Sequence, residues 1–267
     1  MLKQRVITAV LLVSALLCAL FASNPLFWTL VISVMLIAGF YEWLKFCSIT
    51  SLVQIGVSYV VFLGAGYAFG TCLVPQFWLA LLVCLLWGGI FIHTFLEKFE
   101  FMNGKWVKLT IGILTLAAAG SMVVEIRTID SGIYWVLAFF LIVIAADVGA
   151  YFSGKKFGKR KLAPAISPGK TVEGFLGGLL LVSLIFIPAL FVFFDAWLAI
   201  GLSVTVLLTS IASVGGDLYE SKLKRFAGLK DSSQILPGHG GILDRVDSLM
   251  AGIPVYAMGL LLLGLWR

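Results

Sequence analysis

Charged residues are scarce in this chain. Of 267 residues, 12% are charged and 61% are hydrophobic, and the mean hydropathy is +1.09. A water-soluble domain carries about 25% charged residues, so this sequence lacks the polar surface needed to enclose a hydrophobic core. The composition excludes an ordinary soluble protein and predicts one that lies in a bilayer.

Cysteine is also scarce, and its spacing carries no motif. The four cysteines are scattered in or beside apolar runs, at Cys18, Cys47, Cys72 and Cys84. This spacing fits neither a thiolate metal site nor a disulfide framework. We therefore expect the cysteines to act as small buried hydrophobic residues.

Basic residues exceed acidic ones, which gives a net charge of +6 and a pI near 9.2. The excess is confined to a few loops without an aromatic and basic surface, so nucleic acid is not an expected partner. In a membrane protein such loops mark the cytoplasmic face or bind anionic headgroups and phosphates.

Nine apolar segments are long enough to cross a bilayer, which takes about 20 residues per helix. The predicted spans are 6–23, 27–46, 52–71, 75–96, 108–126, 133–152, 173–194, 197–219 and 248–266. The last span has polar residues at its start, so its helix is expected to begin near residue 242. The first span follows Lys3 and Arg5 but lacks an A-x-A cleavage pattern, so we interpret it as uncleaved.

These spans predict an all-α polytopic membrane protein with a cytoplasmic N-terminus. The chain reads as one integral membrane domain, 1–267, in which 1–130 form scaffold, dimer and lipid-facing helices and 131–267 form the catalytic helices and cytoplasmic loops. This orientation places 17 of the 19 basic residues inside, with Arg127 and Arg267 outside. The asymmetry agrees with the positive-inside rule and puts the polar loops 153–172 and 220–247 on one face.

Acidic residues lie in or beside the apolar runs on the predicted inner side. A charge at this depth is costly unless it is paired or hydrated, so it points to function. The residues are Glu42, Asp147, Glu173 and Asp217, with Asp244 and Asp247 at the start of the last helix.

Asp217 and Asp244 are the predicted metal ligands. If the last two helices pack side by side, as consecutive elements usually do, their carboxylates converge near the inner surface. Carboxylate oxygens suit Mg²⁺, which binds one or two such groups together with substrate phosphates. The alternative is that these acids pair with Lys224, Arg225 or Arg245 and only close the loop.

The loop before the last helix combines basic residues with the run LPGHGG. Glycines leave backbone N–H groups free to approach an anion, and the helix N-terminus that follows adds a positive dipole end. The loop therefore predicts a phosphate site, although a solvated basic loop touching anionic lipid remains open. For His239, between glycines, a phosphate contact and a structural hydrogen bond are both open.

The other inner loop, residues 153–172, carries five basic residues between 155 and 161, followed by SPGKT. A P-loop is excluded because Pro164 stands where that motif needs glycine and no strand precedes it. Pro168 and Gly169 still predict a tight turn into a helix N-terminus, which can bind phosphate. Glu173, in the first turn of that helix, is open to a role that only complements the helix dipole.

Residues 221–247 resemble the signature of the phosphatidate cytidylyltransferases, or CDP-diacylglycerol synthases. The upstream segments DVGAYFSGKKFGK and SPGKTVEGFLGG also resemble the bacterial members, so the resemblance covers essentially the whole chain. The matching positions are Ser221, Lys224, Arg225, Lys230, Asp231, Pro237, His239, Gly240, Gly241, Asp244, Arg245 and Asp247.

The resemblance implies synthesis of CDP-diacylglycerol and pyrophosphate from CTP and phosphatidate, with Mg²⁺ and with a monovalent cation such as K⁺ beside it. It also implies a homodimer among membrane lipids in a bacterial cytoplasmic membrane. The catalytic candidates are Asp217, Asp244, Lys224, Arg225, Lys230 and Arg245. The substrate-binding candidates are Asp147, Lys170, Ser221, Asp231, His239, Gly240, Gly241 and Asp247.

Three other functions are weighed against this one. A transporter needs acids spread through the membrane depth and a polar outer vestibule, whereas here the acids gather inside. A phosphotransferase with another nucleotide-activated donor needs the same residue types, and only the signature separates it. A lipid-binding scaffold has no need of paired aspartates.

Overall fold

The computed structural model describes residues 2–71, 73–96, 100–236, 238 and 240–266. Within these residues there are nine α-helices, one 3-10 helix and two short strands. The helices are α1 (Leu2–Phe21), α2 (Pro25–Phe46), α3 (Leu52–Gly70), α4 (Gln76–Leu96), α5 (Lys105–Ile126), α6 (Gly132–Phe157), α7 (Val172–Phe193), α8 (Ala196–Phe226) and α9 (Leu243–Leu262). The 3-10 helix is Glu100–Asn103, and the strands are β1 (Lys161–Ala163) and β2 (Ser167–Thr171).

The all-α polytopic prediction is confirmed. Eight of the described helices, α2 to α9, are long and apolar enough to cross a membrane, while the apolar part of α1 is the shorter stretch Ile7–Phe21. Helices suit a bilayer because each satisfies its own backbone hydrogen bonds. Their outer faces stay apolar, and Val192, Phe193 and Trp197 are all more than three-quarters exposed.

The most extensive helix packing is between two consecutive antiparallel pairs, α6 with α7 and α8 with α9. Glycines bring the first pair together. A Cβ on Gly149 would lie 2.8 Å from the carbonyl oxygen of Gly177, and one on Gly178 would lie 2.6 Å from that of Ala146. Small residues of this kind let helix backbones approach closely in membranes.

The predicted adjacency of the last two helices is confirmed, but the span predicted for α8 was too short. This helix continues from the predicted end at residue 219 to Phe226, so Ser221, Lys224 and Arg225 lie on the helix and not in a loop. The last helix begins at Leu243, as its polar start indicated.

A β-hairpin between α6 and α7 was not predicted. Strands β1 and β2 pair antiparallel and lead directly into α7. The prediction of a tight turn at Pro168 and Gly169 was wrong, because both lie in β2 and the turn occupies residues 164–166. Thr171 then caps α7, with its Oγ1 accepting a hydrogen bond from Gly174 N at 3.1 Å.

One end of the bundle, which we call the polar end, holds the last turns of α2, α4, α6 and α8 and the first turns of α3, α5, α7 and α9. Lys108 Nζ at the start of α5, for example, donates to the carbonyl oxygen of Phe46 at the end of α2, at 3.0 Å. At the opposite end Arg127 Nε donates to Leu20 O at 3.0 Å, so the arginine predicted outside lies away from the polar end.

The expectation that the cysteines are buried holds in part. Cys47 is buried, Cys84 is half-buried and Cys18 is exposed on the apolar surface. Cys72 lies outside the described residues.

Substitution of Gly178 by alanine should lower the free energy of unfolding by about 1–3 kcal/mol, as overpacking typically does. The added methyl group would meet backbone atoms of α6, which move only if the helices separate. Thermal unfolding in detergent measures the effect. Gly88→Ala is the matched control, because its Cβ would meet nothing within 4 Å, and equal shifts for the two variants would contradict the prediction.

Candidate active site

An ion pair joins the hairpin to α8. Lys170 Nζ on β2 lies 2.5 Å from Asp217 Oδ2, and both side chains are about one-quarter exposed (26% and 30%). One turn further along α8, Ser221 Oγ donates to Asp217 Oδ1 at 3.3 Å. Three of the predicted site residues therefore lie together, on two different segments.

A second ion pair joins α8 to α9. Lys224 Nζ lies 2.6 Å from Asp244 Oδ1 and also contacts Glu220 Oε2 on its own helix. The Glu220 side chain is fully buried. The alternative pairing of Asp244 with Lys224 is therefore present. The Asp244 carboxylate contacts α8 through the Lys224 side chain.

Asp244 also organises the loop that precedes it. Its Oδ2 accepts hydrogen bonds from Gly241 N at 2.8 Å, Ser232 N at 3.0 Å and Ser232 Oγ at 3.0 Å. Gly240 adopts φ +81°, and a Cβ there would lie 2.7 Å from Asp244 Oδ2. Glycine is required at 240 both for the left-handed backbone and for the close approach of the carboxylate.

Two more acids complete the cluster. Asp247, a turn beyond Asp244 on α9, is buried, interacts electrostatically with Asp217 and Glu220, and accepts a hydrogen bond from Ser248 N at 2.7 Å. Asp147 on α6 interacts electrostatically with Asp217 and Lys170. These acids therefore lie near one another, across three helices and the hairpin. We call Asp147, Asp217, Glu220, Asp244 and Asp247 the acid cluster.

The acid cluster is more negative than its lysines compensate. Two lysines, Lys170 and Lys224, make its direct ion pairs. The buried Glu220 Oε1 accepts no hydrogen bond from the described residues. Among those residues no three His, Cys, Asp or Glu side chains are already arranged to hold a metal. The surplus charge and the hard oxygen donors nevertheless fit a divalent cation such as Mg²⁺, and the assignment of Asp217 and Asp244 as its ligands stays a prediction.

Other predicted site residues surround the acid cluster without entering its ion pairs. Arg225, Lys230, Asp231 and Arg245 are exposed, and Gly241 is buried between the loop and α2. His239 and Pro237 lie outside the described residues. Exposed cations at this end remain accessible to an incoming anion.

Glu173 fixes the start of the hairpin and does more than complement a helix dipole. Its Oε2 accepts from the backbone N–H groups of Lys159 and Arg160 at 3.0 Å each, and its Oε1 pairs with Arg160 Nε at 3.1 Å. The carboxylate thereby holds the basic segment after α6 against the N-terminus of α7.

Two cavities, each of about 370 Å³, share Asp147 in their linings. The first, which we call the basic cavity, lies between α6, the hairpin and α7 and is lined by Lys155, Lys170 and Gly169. The second, the apolar cavity, lies between α1, α2, α5, α6 and α9, with Leu12 and other hydrophobic side chains along it. Arg245 lines the apolar cavity together with Asp147, which gives it a charged end.

Sequence analysis assigned no role to two acidic residues of the polar end. Glu220 was not among the candidates, and Glu42 was marked only as an acid in or beside an apolar run. Glu42 is fully buried, and its carboxylate oxygens accept hydrogen bonds from the loop before α9. The rarity of a carboxylate inside an apolar helix marked Glu42 as functional without giving it a role, and the same signal applies to Glu220.

The fold and the polar end define a multi-pass membrane protein with an acid and lysine site at one end of its bundle. A family model described as "Cytidylyltransferase family" matches residues 3–263. The chain belongs to this family.

Curated relatives are similar to this chain over most of its length. It is 35% identical over 283 residues to a phosphatidate cytidylyltransferase of Haemophilus influenzae, covering 96% of this chain and 98% of that one. It is 38% identical over 265 residues to the protein of that name from Pseudomonas aeruginosa, covering 96% of each. A Staphylococcus aureus protein of the same name is 42% identical over 163 residues, 60% of each chain.

Lys224→Met should lower the free energy of unfolding by about 3–5 kcal/mol, because breaking a buried ion pair leaves uncompensated charge. Here it leaves both Glu220 and Asp244 without their cation. The double variant Glu220→Gln/Lys224→Met should recover part of the loss, since it removes one buried carboxylate charge.

Thermal unfolding of the purified variants measures both effects. Lys156→Met is the matched control, because Lys156 is exposed on α6 and an exposed substitution typically changes stability by less than about 0.5 kcal/mol. A double variant less stable than Lys224→Met alone would contradict the assigned pairing.

Proposed function

We propose that the protein transfers CMP from CTP to phosphatidate and yields CDP-diacylglycerol and pyrophosphate. The family and the names of the relatives support this activity. The observation that carries it is the pair of cavities that share Asp147 in their linings, one basic and one apolar, beside a cluster of carboxylates and lysines. A reaction between a water-soluble polyanion and a lipid phosphate needs both environments at one point.

The two substrates are assigned to the two cavities. The basic cavity takes the phosphates of CTP, because Lys155 and Lys170 line it and ammonium groups bind phosphate well. The apolar cavity takes an acyl chain of phosphatidate, with the lipid phosphate near Arg245 at its charged end. Asp147 would then lie between the two phosphates, where its charge would help to hold a cation.

The reaction is an in-line displacement at phosphorus. A phosphatidate oxygen forms a bond to the α-phosphorus of CTP, the bond from that phosphorus to the bridging oxygen breaks, and pyrophosphate leaves. Such transfers depend mainly on positioning and on neutralisation of charge. Phosphatidate is already ionised near neutral pH, so the site needs no strong general base.

The lysines and arginines of the polar end supply most of this neutralisation. Lys170 and Lys224 stay close to the acid cluster, while Arg225, Lys230 and Arg245 remain exposed to incoming phosphates. Asp217 and Asp244 are assigned as ligands of Mg²⁺, which would offset the negative charge of the triphosphate. A monovalent cation such as K⁺ is a further proposed occupant of this acidic region.

The proposed setting is a bacterial cytoplasmic membrane, with the polar end facing the cytoplasm, where CTP is available. The exposed apolar sides of α3 and α7 contact membrane lipids or a second copy in a homodimer. Leu52 and Val60 on α3 are 85% and 73% exposed, so these faces require an apolar partner.

The alternatives are less well supported. A transporter would need acids through the depth of the membrane, whereas the acid cluster lies at one end of the bundle. Another nucleotide-dependent phosphotransferase would share the charges but not the family.

Asp217→Asn and Asp244→Asn should each lower turnover by about a hundredfold or more, the scale of losing one electrostatic contact to the transition state. The assay incubates purified protein with labelled CTP, phosphatidate and Mg²⁺ and measures CDP-lipid and pyrophosphate. Removal of the divalent cation by EDTA should have a comparable effect.

Asp195→Asn is the matched control for both variants. Asp195 caps the far end of α8, accepting from Leu198 N at 3.1 Å, and asparagine caps equally well, so its turnover should match the wild type. Near-normal turnover in either site variant would refute the metal assignment, and no CDP-lipid from the wild type would refute the enzymatic one.

Leu12→Trp should raise KM for phosphatidate by about tenfold, because the indole fills the apolar cavity and removes acyl-chain contacts worth roughly 1.5 kcal/mol or more. KM for CTP should stay unchanged. Leu11→Trp is the matched control, since Leu11 is the neighbouring residue on α1 and is 64% exposed. An equal rise in both KM values, or no rise, would contradict the assignment of this cavity.

A further inference from the structure

Glu42 makes an unusual set of contacts for an acid inside a membrane helix. Its Oε1 accepts from Ser233 Oγ at 2.5 Å and Ile242 N at 3.0 Å, and its Oε2 accepts from Ser232 Oγ at 2.8 Å and Leu243 N at 2.7 Å. The side chain is fully buried. Four donors on two oxygens match the acceptor capacity of an ionised carboxylate.

These contacts supply the N-terminal cap of α9 from a different helix. The residue at the N-cap position, Ile242, has no side chain that accepts a hydrogen bond. The first N–H groups of a helix need an acceptor, and here Glu42, about 200 residues earlier in the chain, provides it. A carboxylate at this place also interacts favourably with the helix dipole.

The neighbouring backbone is shaped around this carboxylate. A Cβ on Gly241 would lie 2.5 and 2.6 Å from the two Glu42 oxygens and 1.9 Å from Ser232 Oγ. A Cβ on Gly39, one turn earlier on α2, would lie 3.8 Å from side-chain atoms of Ile242 and of Leu243. Glycine at 241 is thus required by the approach of Glu42.

Ser232 connects Glu42 to the acid cluster. Its hydroxyl lies 2.8 Å from Glu42 Oε2 and 3.0 Å from Asp244 Oδ2, and its N–H donates to the same Asp244 oxygen. A hydroxyl has one hydrogen, so only one of the two carboxylates receives it at a time. The Glu42 and Asp244 carboxylates both contact Ser232 and together fix the loop before α9.

We infer that Glu42 is a positioning residue for nucleotidyl transfer: it fixes Ser232, Gly241 and the start of α9, and thereby sets the position of the Asp244 carboxylate. This inference rests on the proposed function. Glu42 does not touch substrate in this role. It acts through Ser232, Gly241 and the first N–H groups of α9.

The test is Glu42→Gln, which keeps the shape of the side chain and replaces one acceptor oxygen by an NH₂ group. This group would face an N–H donor of α9 or a serine hydroxyl. Turnover is measured with labelled CTP, phosphatidate and Mg²⁺, and backbone hydrogen exchange is followed by mass spectrometry. We expect kcat to fall by about tenfold or more, as when hydrogen bonds to a charged group are lost, while both KM values change by less than about threefold.

Hydrogen exchange separates positioning from general stability. Exchange should rise by about tenfold in peptides covering residues 236–246 and stay unchanged in α5 and α7, since the N–H groups of Ile242 and Leu243 lose their acceptor. Glu125→Gln is the matched control. Glu125 accepts from Gln76 Nε2 at 2.7 Å at the opposite end of the bundle, and this variant should keep both kcat and the exchange pattern.

Three outcomes would overturn the inference: a kcat within twofold of wild type, a lower kcat with unchanged exchange at 236–246, or a lower kcat with faster exchange throughout. If Glu42→Gln does not yield folded protein, Ser232→Ala replaces it, because it removes the shared hydroxyl without uncovering a charge. It should lower kcat severalfold and raise exchange at 236–246, and an unchanged kcat would refute the role. The exchange measurement needs no turnover, so an inactive wild type would refute the proposed function separately.

Discussion

The contact of Lys224 with Glu220 and Asp244 is the interaction on which the polar end depends. Carboxylates buried in an apolar bundle are tolerated only when cations or hydrogen-bond donors compensate them. The Lys224 ammonium group on α8 compensates both Glu220 on the same helix and Asp244 at the start of α9. The spacing of α8 and α9 and the position of the loop before α9 are therefore set by charge as well as by packing.

Close backbone approach makes this arrangement possible. Glycines let α6 and α7 lie against one another, and Gly216 does the same for α8 and α9, where a Cβ would lie 2.3 Å from the carbonyl oxygen of Asp247. The residue that follows Gly216 is Asp217. The same close contact therefore brings Asp217 and Asp247 together, which bulkier side chains would keep apart.

Much of this could be predicted from the sequence because the bilayer imposes simple rules. Length and apolarity located the helices, and the gathering of acids and bases located the polar end. The longer α8 was missed because its last turns, from Glu220 to Phe226, are charged and read as a loop; they remain helical because Glu220 and Lys224 pair one turn apart. The hairpin was missed because three to five residues carry no periodicity.

Long-range hydrogen bonds lay beyond sequence reasoning for another reason. Nothing near Glu42 in the chain indicates that α2 reaches the loop before α9, since the contact spans about 200 residues. The pairing of Asp244 was weighed but left open, because spacing on a helix places a carboxylate on a face without choosing its partner. Such choices depend on the tertiary packing of helices that are distant in sequence.

The proposed assignment of one substrate to each of the two cavities that share Asp147 has a consequence for product release. Pyrophosphate is small and ionic and can return to water by the route along which the nucleotide arrived. The lipid product carries hydrocarbon chains and a cytidine head, so in this assignment it occupies the apolar cavity and the basic cavity together. Its head must withdraw from the lysine-lined side before the molecule can slide sideways between helices into the bilayer.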